Sequence, residues 1–329
     1  MTQPLLLLPG QPAEPFTYVD CGARGERTKP LIEAMPDALY VGFEPDREEC
    51  ARLLKHANGT RYKFFPVALG AKAERQTLHL TRNPACTSLF APDHEFLGQF
   101  MELGPFFDVL AAQPVETVAL DTFLPEQGIN RIDFIELDTQ GAELDILRGA
   151  EEFLSSSVLG LQVEVEFTAM YQNQPLFAEV DSYLRRFGLM LFDLSRYRLR
   201  RKACPPDVET RGQLMWGHAF YLRDYRTLSG QSEKTNRLAA LASFFGFHDY
   251  ALEIAEFAAG ELHGEQHAVV SSAINRYRLS LRNTPLIETL LKLDRTVLRV
   301  PLRQLGALCA QIGQAHSFIT TKRNYFWKD

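Results

Sequence analysis

The residues best placed for chemistry are Asp138, Thr139 and Gln140, which directly follow an apolar stretch at residues 132–137. Residues 142–154 then carry apolar side chains at helical spacing, so the pattern predicts a buried strand, a tight turn and an amphipathic helix. In sheets built from such units, ligands bind beyond the carboxyl ends of the strands. The three polar residues therefore form a candidate site, although an acid at the position of Asp138 is also typical of a helix cap.

A second group of candidate residues follows the first predicted strand, residues 16–21. Asp20 lies at the end of that strand, and Gly22 and Ala23 begin the next turn, where a residue without Cβ lets the backbone approach a ligand closely. Glu44 ends the neighbouring predicted strand, residues 39–44. A carboxylate there can accept both hydroxyls of a ribose. The alternative is a chance glycine turn beside a chance acid.

The glycine turn does not match the dinucleotide-binding fingerprint. That fingerprint needs three glycines spaced G-x-G-x-x-G, so that a pyrophosphate can lie at the helix N-terminus. In this chain Arg24 and Arg27 stand where the second and third glycines belong. A nucleoside without phosphates fits this turn better, and S-adenosylmethionine is such a ligand.

The pattern over residues 16–69 predicts one half of a doubly wound α/β sheet, because strands alternate with a glycine turn and helices. Residues 62–69 are predicted to form the third strand of this half. A long insertion follows and contains Phe96, Phe100, Phe106 and Phe107. These phenylalanines indicate either a lid over the edge of the sheet or a minor core of the insertion.

Composition limits the classes of partner and location. The net charge of −6 argues against a general nucleic-acid-binding protein, which needs a basic face. The five cysteines show neither metal-ligand nor disulfide spacing, so the sequence predicts no metal site and favours a reducing, cytoplasmic location. The apolar run at residues 5–8 is too short for the core of a signal peptide or for a membrane span.

Several motifs resemble the FkbM family of methyltransferases. They are VDCGARG (19–25), VGFEPD (41–46), ACTSLF (85–90), IDFIELDTQGAELDILRGAE (132–151), VEVEF (163–167) and RGQLMWGHAFYLRD (211–224). The resemblance covers residues 16–224 and is most specific in the central stretch. It implies a class I methyltransferase fold, with a seven-stranded sheet whose last strand is antiparallel, and S-adenosylmethionine as the methyl donor. Members of the family typically methylate hydroxyls, often on sugars or polyketides.

The resemblance also implies a set of donor-binding residues in the turns at the ends of strands. They are Asp20, Gly22 and Ala23 at the methionine part, Glu44 at the ribose, Ala68 near the adenine, and Asp138 and Gln140 at the methyl group. The first motif departs from the family at Glu26, where glycine is common. This departure leaves open which backbone amides touch the methionine part.

The sequence therefore predicts an S-adenosylmethionine-dependent O-methyltransferase that acts on a hydroxyl of a sugar, a surface polysaccharide or a secondary metabolite. Such an acceptor benefits from a base that removes its proton. Asp138 is the first candidate for this base, followed by Glu166 and His218, although His218 also fits an ordinary strand residue. Two alternatives are a non-catalytic binding or scaffold protein of the same fold and a nicotinamide-dependent sugar enzyme.

The chain is predicted to have three parts: an N-terminal arm (1–15), a methyltransferase domain (16–226) and a helical C-terminal extension (227–329). In the last long predicted helix, Arg295, Arg299 and Arg303 form a basic stripe. This stripe is either a solvated face or a dock for an anionic glycan, a lipid head group or an acidic partner.

Overall fold

The computed structural model describes residues 14–25, 30–35, 37–57, 59, 61–100 and 103–282. It contains two compact units, of which one is Pro12–Leu238 and the other holds the described residues from Ala239 onward. The predicted boundaries at residues 15 and 226 stay a prediction. Glu26, most of the N-terminal arm and the stripe formed by Arg295, Arg299 and Arg303 lie outside the described residues.

Strands dominate the first unit. The described strands are β1 (Thr17–Cys21), β2 (Leu39–Phe43), β3 (Tyr62–Phe65), β4 (Ala68–Leu69), β5 (Glu74–Thr81), β6 (Val109–Val118), β7 (Phe134–Leu137), β8 (Gly160–Glu166), β9 (Leu189–Leu194), β10 (Tyr197–Leu199) and β11 (Gln213–Arg223). Eight of them form one sheet with the order β10-β11-β8-β7-β1-β2-β3, in which β9 also pairs with β11.

Helices connect these strands and continue into the second unit. The described α-helices are α1 (Pro30–Ala34), α2 (Arg47–His56), α3 (His94–Leu97), α4 (Leu120–Glu126), α5 (Glu143–Arg148), α6 (Glu151–Ser156), α7 (Phe177–Arg185), α8 (Ser232–Phe244), α9 (His248–Gly260) and α10 (Gly264–Arg282). Within the described part of the chain, no helix is both long and apolar enough to cross a membrane. The second unit contains α9 and α10, which are joined by a hydrogen bond of 2.6 Å between His248 Nδ1 and the Tyr277 hydroxyl.

The predicted class I methyltransferase fold is confirmed by the strand order. Strands β3, β2, β1, β7 and β8 are parallel, and β11 runs antiparallel to β8. With β9 these make the expected seven strands, to which β10 adds an eighth at the edge. Because the five central strands are parallel, their carboxyl ends meet at one edge of the sheet, and this edge collects the candidate residues.

Two predicted elements are divided in the structure: the helix expected over residues 142–154 consists of α5 and α6, and the third strand is interrupted as well. The third strand was expected to run over residues 62–69, but it divides into β3 and β4 around Pro66. Proline has no backbone N–H and cannot donate to a sheet ladder, so the strand pairing ends there. Ala68 therefore belongs to a second sheet, where it pairs with Thr117.

The insertion forms this second sheet, with the order β4-β6-β5. Next to it, Phe100 and Phe107 are buried in a small core together with Leu97, Tyr171 and Met215. These two phenylalanines thus follow the minor-core alternative, whereas Phe106 is 47% exposed.

Side-chain alternation along the central strands separates a largely aliphatic face of the sheet from a face that mixes polar groups with buried aromatic residues such as Tyr18, Tyr40 and Phe134. In β8, Val163 and Val165 are fully buried in the main core, where they pack with residues such as Leu147 of α5. Glu164 and Glu166 alternate with them and therefore project from the opposite face. The aliphatic face fixes the sheet, and the opposite face presents the polar groups at its carboxyl edge.

Asp133, immediately before β7, is a fully buried acid with three partners. Its carboxylate accepts hydrogen bonds from the Thr17 backbone N–H at 2.9 Å, from Arg131 Nε at 3.0 Å and from Arg237 Nη1 at 3.0 Å. Burial raises the pKa of Asp133, and the two guanidinium groups oppose that shift. Arg237 lies on α8, so this ion pair joins the start of α8 to the centre of the sheet.

We expect Asp133→Asn to lower the free energy of unfolding by about 3–5 kcal/mol, because removing one partner leaves a buried charge uncompensated. Urea denaturation followed by circular dichroism measures the change. A matched control is Asp108→Asn, which removes an exposed ion pair with Arg82 at 3.3 Å and should cost less than about 1 kcal/mol. Equal losses in the two variants would contradict the structural role of Asp133.

Candidate active site at the carboxyl edge of the sheet

Three side chains form a row across the carboxyl edge of β7 and β8 and the adjoining part of β11. Glu164 of β8 lies directly opposite His218 of β11. Leu137 of β7 pairs with Val163, so Asp138 comes next to Glu164 on the other side. One ligand atom from each of Asp138, Glu164 and His218 lies within 4.8 Å of the other two. The fold thus brings together two predicted catalytic residues, Asp138 and His218, with an acid between them.

Gln140 links two members of this row. Its side-chain Nε2 donates to Asp138 Oδ1 at 2.9 Å and to Glu164 Oε2 at 2.6 Å. The Gln140 backbone has a φ of 59°, which is rare for residues other than glycine. Two further contacts hold it: Ser88 Oγ donates to its carbonyl oxygen at 2.6 Å, and the Tyr171 hydroxyl lies 3.1 Å from its Oε1.

Asp138 is not a helix cap, because α5 has Ala142 at its N-cap position and no side-chain capping bond there. The preceding turn is held by Glu143 instead. Its carboxylate accepts hydrogen bonds from the Thr139 N–H at 2.7 Å, from Thr139 Oγ1 at 2.9 Å and from the Gly141 N–H at 2.9 Å. Burial raises the pKa of Glu143 to about 7. The capping alternative is therefore wrong. The Asp138 carboxyl instead accepts a hydrogen bond from Gln140 in the candidate site.

The two acids at the end of β8 are almost completely buried. Glu164 is 6% exposed and Glu166 is 1% exposed. Burial raises the pKa of both carboxyls well above the usual range, and the nearby charge of Asp138 adds to the shift in each. Glu166 Oε1 has no hydrogen-bond partner among the described residues. Buried carboxylate oxygens without a well-formed hydrogen bond are costly, which makes this edge a candidate functional site.

The glycine turn after β1 touches the same edge. The Asp138 N–H donates to the Cys21 carbonyl at 3.1 Å, and Gly22 has a φ of +90°. A Cβ on Gly22 would lie 2.2 Å from the Asp138 carbonyl oxygen, so only glycine fits. The Gly22 and Ala23 amides both donate to the Phe43 carbonyl, at 3.1 and 2.9 Å. These amides are therefore engaged within the protein.

Glu44 follows β2 and is 4% exposed. One oxygen, Oε1, accepts from the Asp46 N–H at 2.9 Å, and the other lies 3.4 Å from Arg24 Nε. Burial raises the pKa of Glu44, although Arg24 opposes the shift. Asp20, at the end of β1, is 3% exposed and accepts a hydrogen bond from the Tyr40 hydroxyl.

An aromatic surface lies next to His218. Tyr197 and Trp216 stack with ring centroids 5.2 Å apart and an interplanar angle of 14°. The edge of the His218 ring meets Tyr197 at 5.9 Å. Tyr197 is 44% exposed, so one side of this stack faces solvent beside the polar row.

Sequence reasoning missed Arg24, Ser88, Glu143 and Tyr171 as parts of the site. Ser88 belongs to the ACTSLF motif, and Glu143 belongs to the central motif that also contains Asp138, so both lay within stretches already singled out. The contacts of Tyr171 depend on the loop after β8, for which the sequence carries no signal. Ala68, in contrast, pairs within the second sheet rather than extending β3.

A doubly wound sheet with an antiparallel last strand, a glycine turn after the first strand and acids at the carboxyl edge define a class I methyltransferase architecture. The family model described as "Methyltransferase FkbM domain" matches residues 20–189, more than half of the chain. The chain belongs to this family.

One relative and two solved structures are similar to parts of this chain. The 2-O-methyltransferase NoeI of Sinorhizobium fredii (strain NBRC 101917 / NGR234) is 28% identical over 165 residues, which span 48% of this chain and 66% of that protein. The structure of an FkbM methyltransferase from Methylobacillus flagellatus KT aligns over 63% of this chain and 44% of its own, with 16% identity and a TM-score of 0.38. The S-adenosylmethionine-bound magnesium protoporphyrin IX methyltransferase of Synechocystis PCC 6803 aligns over 64% of this chain and 71% of its own, with 11% identity and a TM-score of 0.33.

Gly22→Ala should destabilise the protein more than Gly25→Ala does. Both residues have positive φ, +90° and +92°, so alanine is strained by about 1–2 kcal/mol at either position. Only at Gly22 does the new Cβ meet the Asp138 backbone, which should add about 1–3 kcal/mol of overpacking. Thermal unfolding of the two variants measures the difference, and equal melting temperatures would show that the close approach of the turn to Asp138 is not needed.

Proposed function

We propose that this protein transfers the methyl group of S-adenosylmethionine to a hydroxyl, and that the acceptor is a saccharide. The observation that carries the proposal is the row of Asp138, Glu164 and His218 beside the Gly22 turn, at the edge of the sheet where ligands of such folds bind. The family supports methyl transfer as the reaction, and NoeI, the relative described above, is a 2-O-methyltransferase.

The charge of the edge favours this donor over a dinucleotide. Burial raises the pKa of Glu143, Glu164 and Glu166, and the nearby charge of Asp138 adds to each shift. The sulfonium and ammonium groups of S-adenosylmethionine carry positive charge, which buried carboxylates stabilise. The pyrophosphate of a nicotinamide cofactor would instead be repelled by them. The nicotinamide-dependent alternative is therefore disfavoured by electrostatics as well as by the missing glycines.

Glu44 is the proposed ribose ligand. Arg24 Nε lies 3.4 Å from one carboxylate oxygen of Glu44, which is long for a charge-assisted hydrogen bond. A ribose diol can take that oxygen when Arg24 turns toward Asp46, with which it already has a hydrogen bond of 2.7 Å. Asp20, Gly22, Ala23, Ala68 and Gln140 complete the proposed donor site.

The stacked pair Tyr197 and Trp216 supports the saccharide acceptor. An aromatic face offers a flat apolar surface on which one face of a sugar ring can lie, while polar groups at its border bind the hydroxyls. His218 borders this stack and also belongs to the polar row. A sugar placed on the stack would thus direct a hydroxyl toward Asp138.

The proposed chemistry is an in-line displacement. The acceptor oxygen attacks the methyl carbon, the carbon–sulfur bond breaks, and the donor leaves as S-adenosylhomocysteine. The donor is already activated, so alignment supplies much of the rate. Asp138 is the first candidate to take the hydroxyl proton, with Glu166 and His218 as the other members of the proposed set.

Glu44→Gln should weaken the binding of S-adenosylmethionine by about 1–3 kcal/mol, because the amide accepts ribose hydrogen bonds without the help of a charge. Titration calorimetry measures the affinity. Glu48→Gln is the matched control, because Glu48 is exposed on α2 and should leave the affinity unchanged. Unchanged affinity in Glu44→Gln would remove Glu44 from the donor site, and tight binding of NAD by the natural protein would favour the nicotinamide alternative.

Turnover tests the reaction itself. Screening glycans with isotope-labelled donor should yield a methylated saccharide, and Asp138→Asn should lower the rate roughly 10²–10⁴-fold, as for a lost general base. Donor affinity should change far less. Asp145→Asn, on the same stretch but in an ion pair with Arg148 at 2.8 Å, is the control and should keep its rate. Donor binding without any turnover across the screen would favour the scaffold alternative.

A further inference from the structure

The polar row contains the donor atoms of a metal site. Two carboxylates and one imidazole, from Asp138, Glu164 and His218, converge from three neighbouring strands. We propose that these three residues bind a divalent first-row transition-metal ion such as Mn²⁺. Carboxylates suit Mn²⁺, and imidazole suits the ions from iron to zinc, so a mixed set of oxygen and nitrogen ligands selects this class over Ca²⁺.

The spacing is close to what such an ion requires. Ligand atoms at about 2.1 Å from a shared ion lie roughly 3–4 Å from one another. The three ligand atoms are already within 4.8 Å of one another. Because Glu164 and His218 are directly opposite on paired strands, their backbones are fixed, and side-chain rotation alone can close the remaining distance.

Gln140 orients the two carboxylates in the way that an outer-shell group does. Its Nε2 binds Asp138 Oδ1 at 2.9 Å and Glu164 Oε2 at 2.6 Å, so it holds the two carboxyl groups next to each other. Gln140 is in turn fixed by Ser88 and Tyr171. Partners of this kind set the geometry of metal ligands and are typical of metal sites.

A second observation supports a cation at this site. Glu166 is two residues beyond Glu164, so it projects from the same face of β8, and its buried Oε1 lacks a well-formed hydrogen bond, with the neutral amide of Gln174 beside it. No lysine or arginine within the described residues forms an ion pair with Asp138, Glu143, Glu164 or Glu166. A divalent cation stabilises the ionised form of these carboxyls, which burial otherwise disfavours, and a neutral ligand does not.

The role of the ion rests on the proposed function, although its binding does not. The ion would coordinate the acceptor hydroxyl and lower its pKa. The hydroxyl proton would pass to Glu166, the acceptor oxygen would form its bond to the methyl carbon, and the electron pair of the broken carbon–sulfur bond would stay on sulfur. The ion is not oxidised or reduced. Asp138 would then act through the ion it holds.

Binding of Mn²⁺ to the metal-free full-length protein tests the proposal without an acceptor. Electron paramagnetic resonance of free Mn²⁺ should show one bound ion per chain, and spin-echo spectra of the bound ion should show ¹⁴N coupling from an imidazole. Glu164→Gln and His218→Asn should each weaken Mn²⁺ binding at least roughly tenfold, the scale of effects at metal sites. His218→Asn should also abolish the ¹⁴N coupling.

Glu44→Gln is the matched control, because it changes another buried acid at the same edge of the sheet. It should weaken S-adenosylmethionine binding and leave Mn²⁺ binding unchanged, whereas Glu164→Gln should do the reverse. This cross-pattern separates a failed ion site from a failed donor site. Absence of Mn²⁺ binding by the natural protein, with or without donor, would overturn the proposal, and so would an unchanged ¹⁴N signal in folded His218→Asn.

Discussion

The site depends on one side-chain amide that holds two acids together. Gln140 donates to both Asp138 and Glu164, and without it two carboxylates at neighbouring strand ends would repel each other. The amide can do this only because its backbone takes a left-handed conformation, which Ser88 and Tyr171 stabilise from other parts of the chain. The local strain is therefore balanced by contacts of the insertion and of the loop after β8.

The same constraint explains why α5 begins with Glu143, whose carboxylate reaches back to the preceding turn. A carboxylate inside the protein satisfies the N–H groups of Thr139 and Gly141, which have no helical partner at this position. Asp138 is thereby released from capping and turned toward the site. The two acids thus have different roles: Glu143 stabilises the turn, and Asp138 faces the candidate site.

The positions of Asp138, Gly22 and Glu44 at one edge were predictable, because strand, turn and helix patterns were clear and parallel strands share their carboxyl ends. The pairing of Glu164 with His218 was not, since alternation assigns a face to each residue but register depends on the whole sheet. The contacts of Arg24 and Tyr171 come from loop conformations that no periodic pattern encodes. The break at Pro66 was readable in principle, because proline interrupts a ladder wherever it falls.

The contacts of Arg237 affect the order in which the first unit can fold during synthesis. Besides Asp133, its guanidinium donates to the backbone carbonyls of Glu14 and Pro15, which lie 223 and 222 residues earlier in the chain. The earliest described residues are therefore fastened by a residue near the end of the same unit. During synthesis, strands β1 and β7 emerge long before Arg237 does. The ion pair between Asp133 and Arg237 can therefore form only after α8 has been made. The growing chain carries an incompletely neutralised acid beside its central strands until the ribosome reaches α8, and contacts of such long sequence separation form slowly.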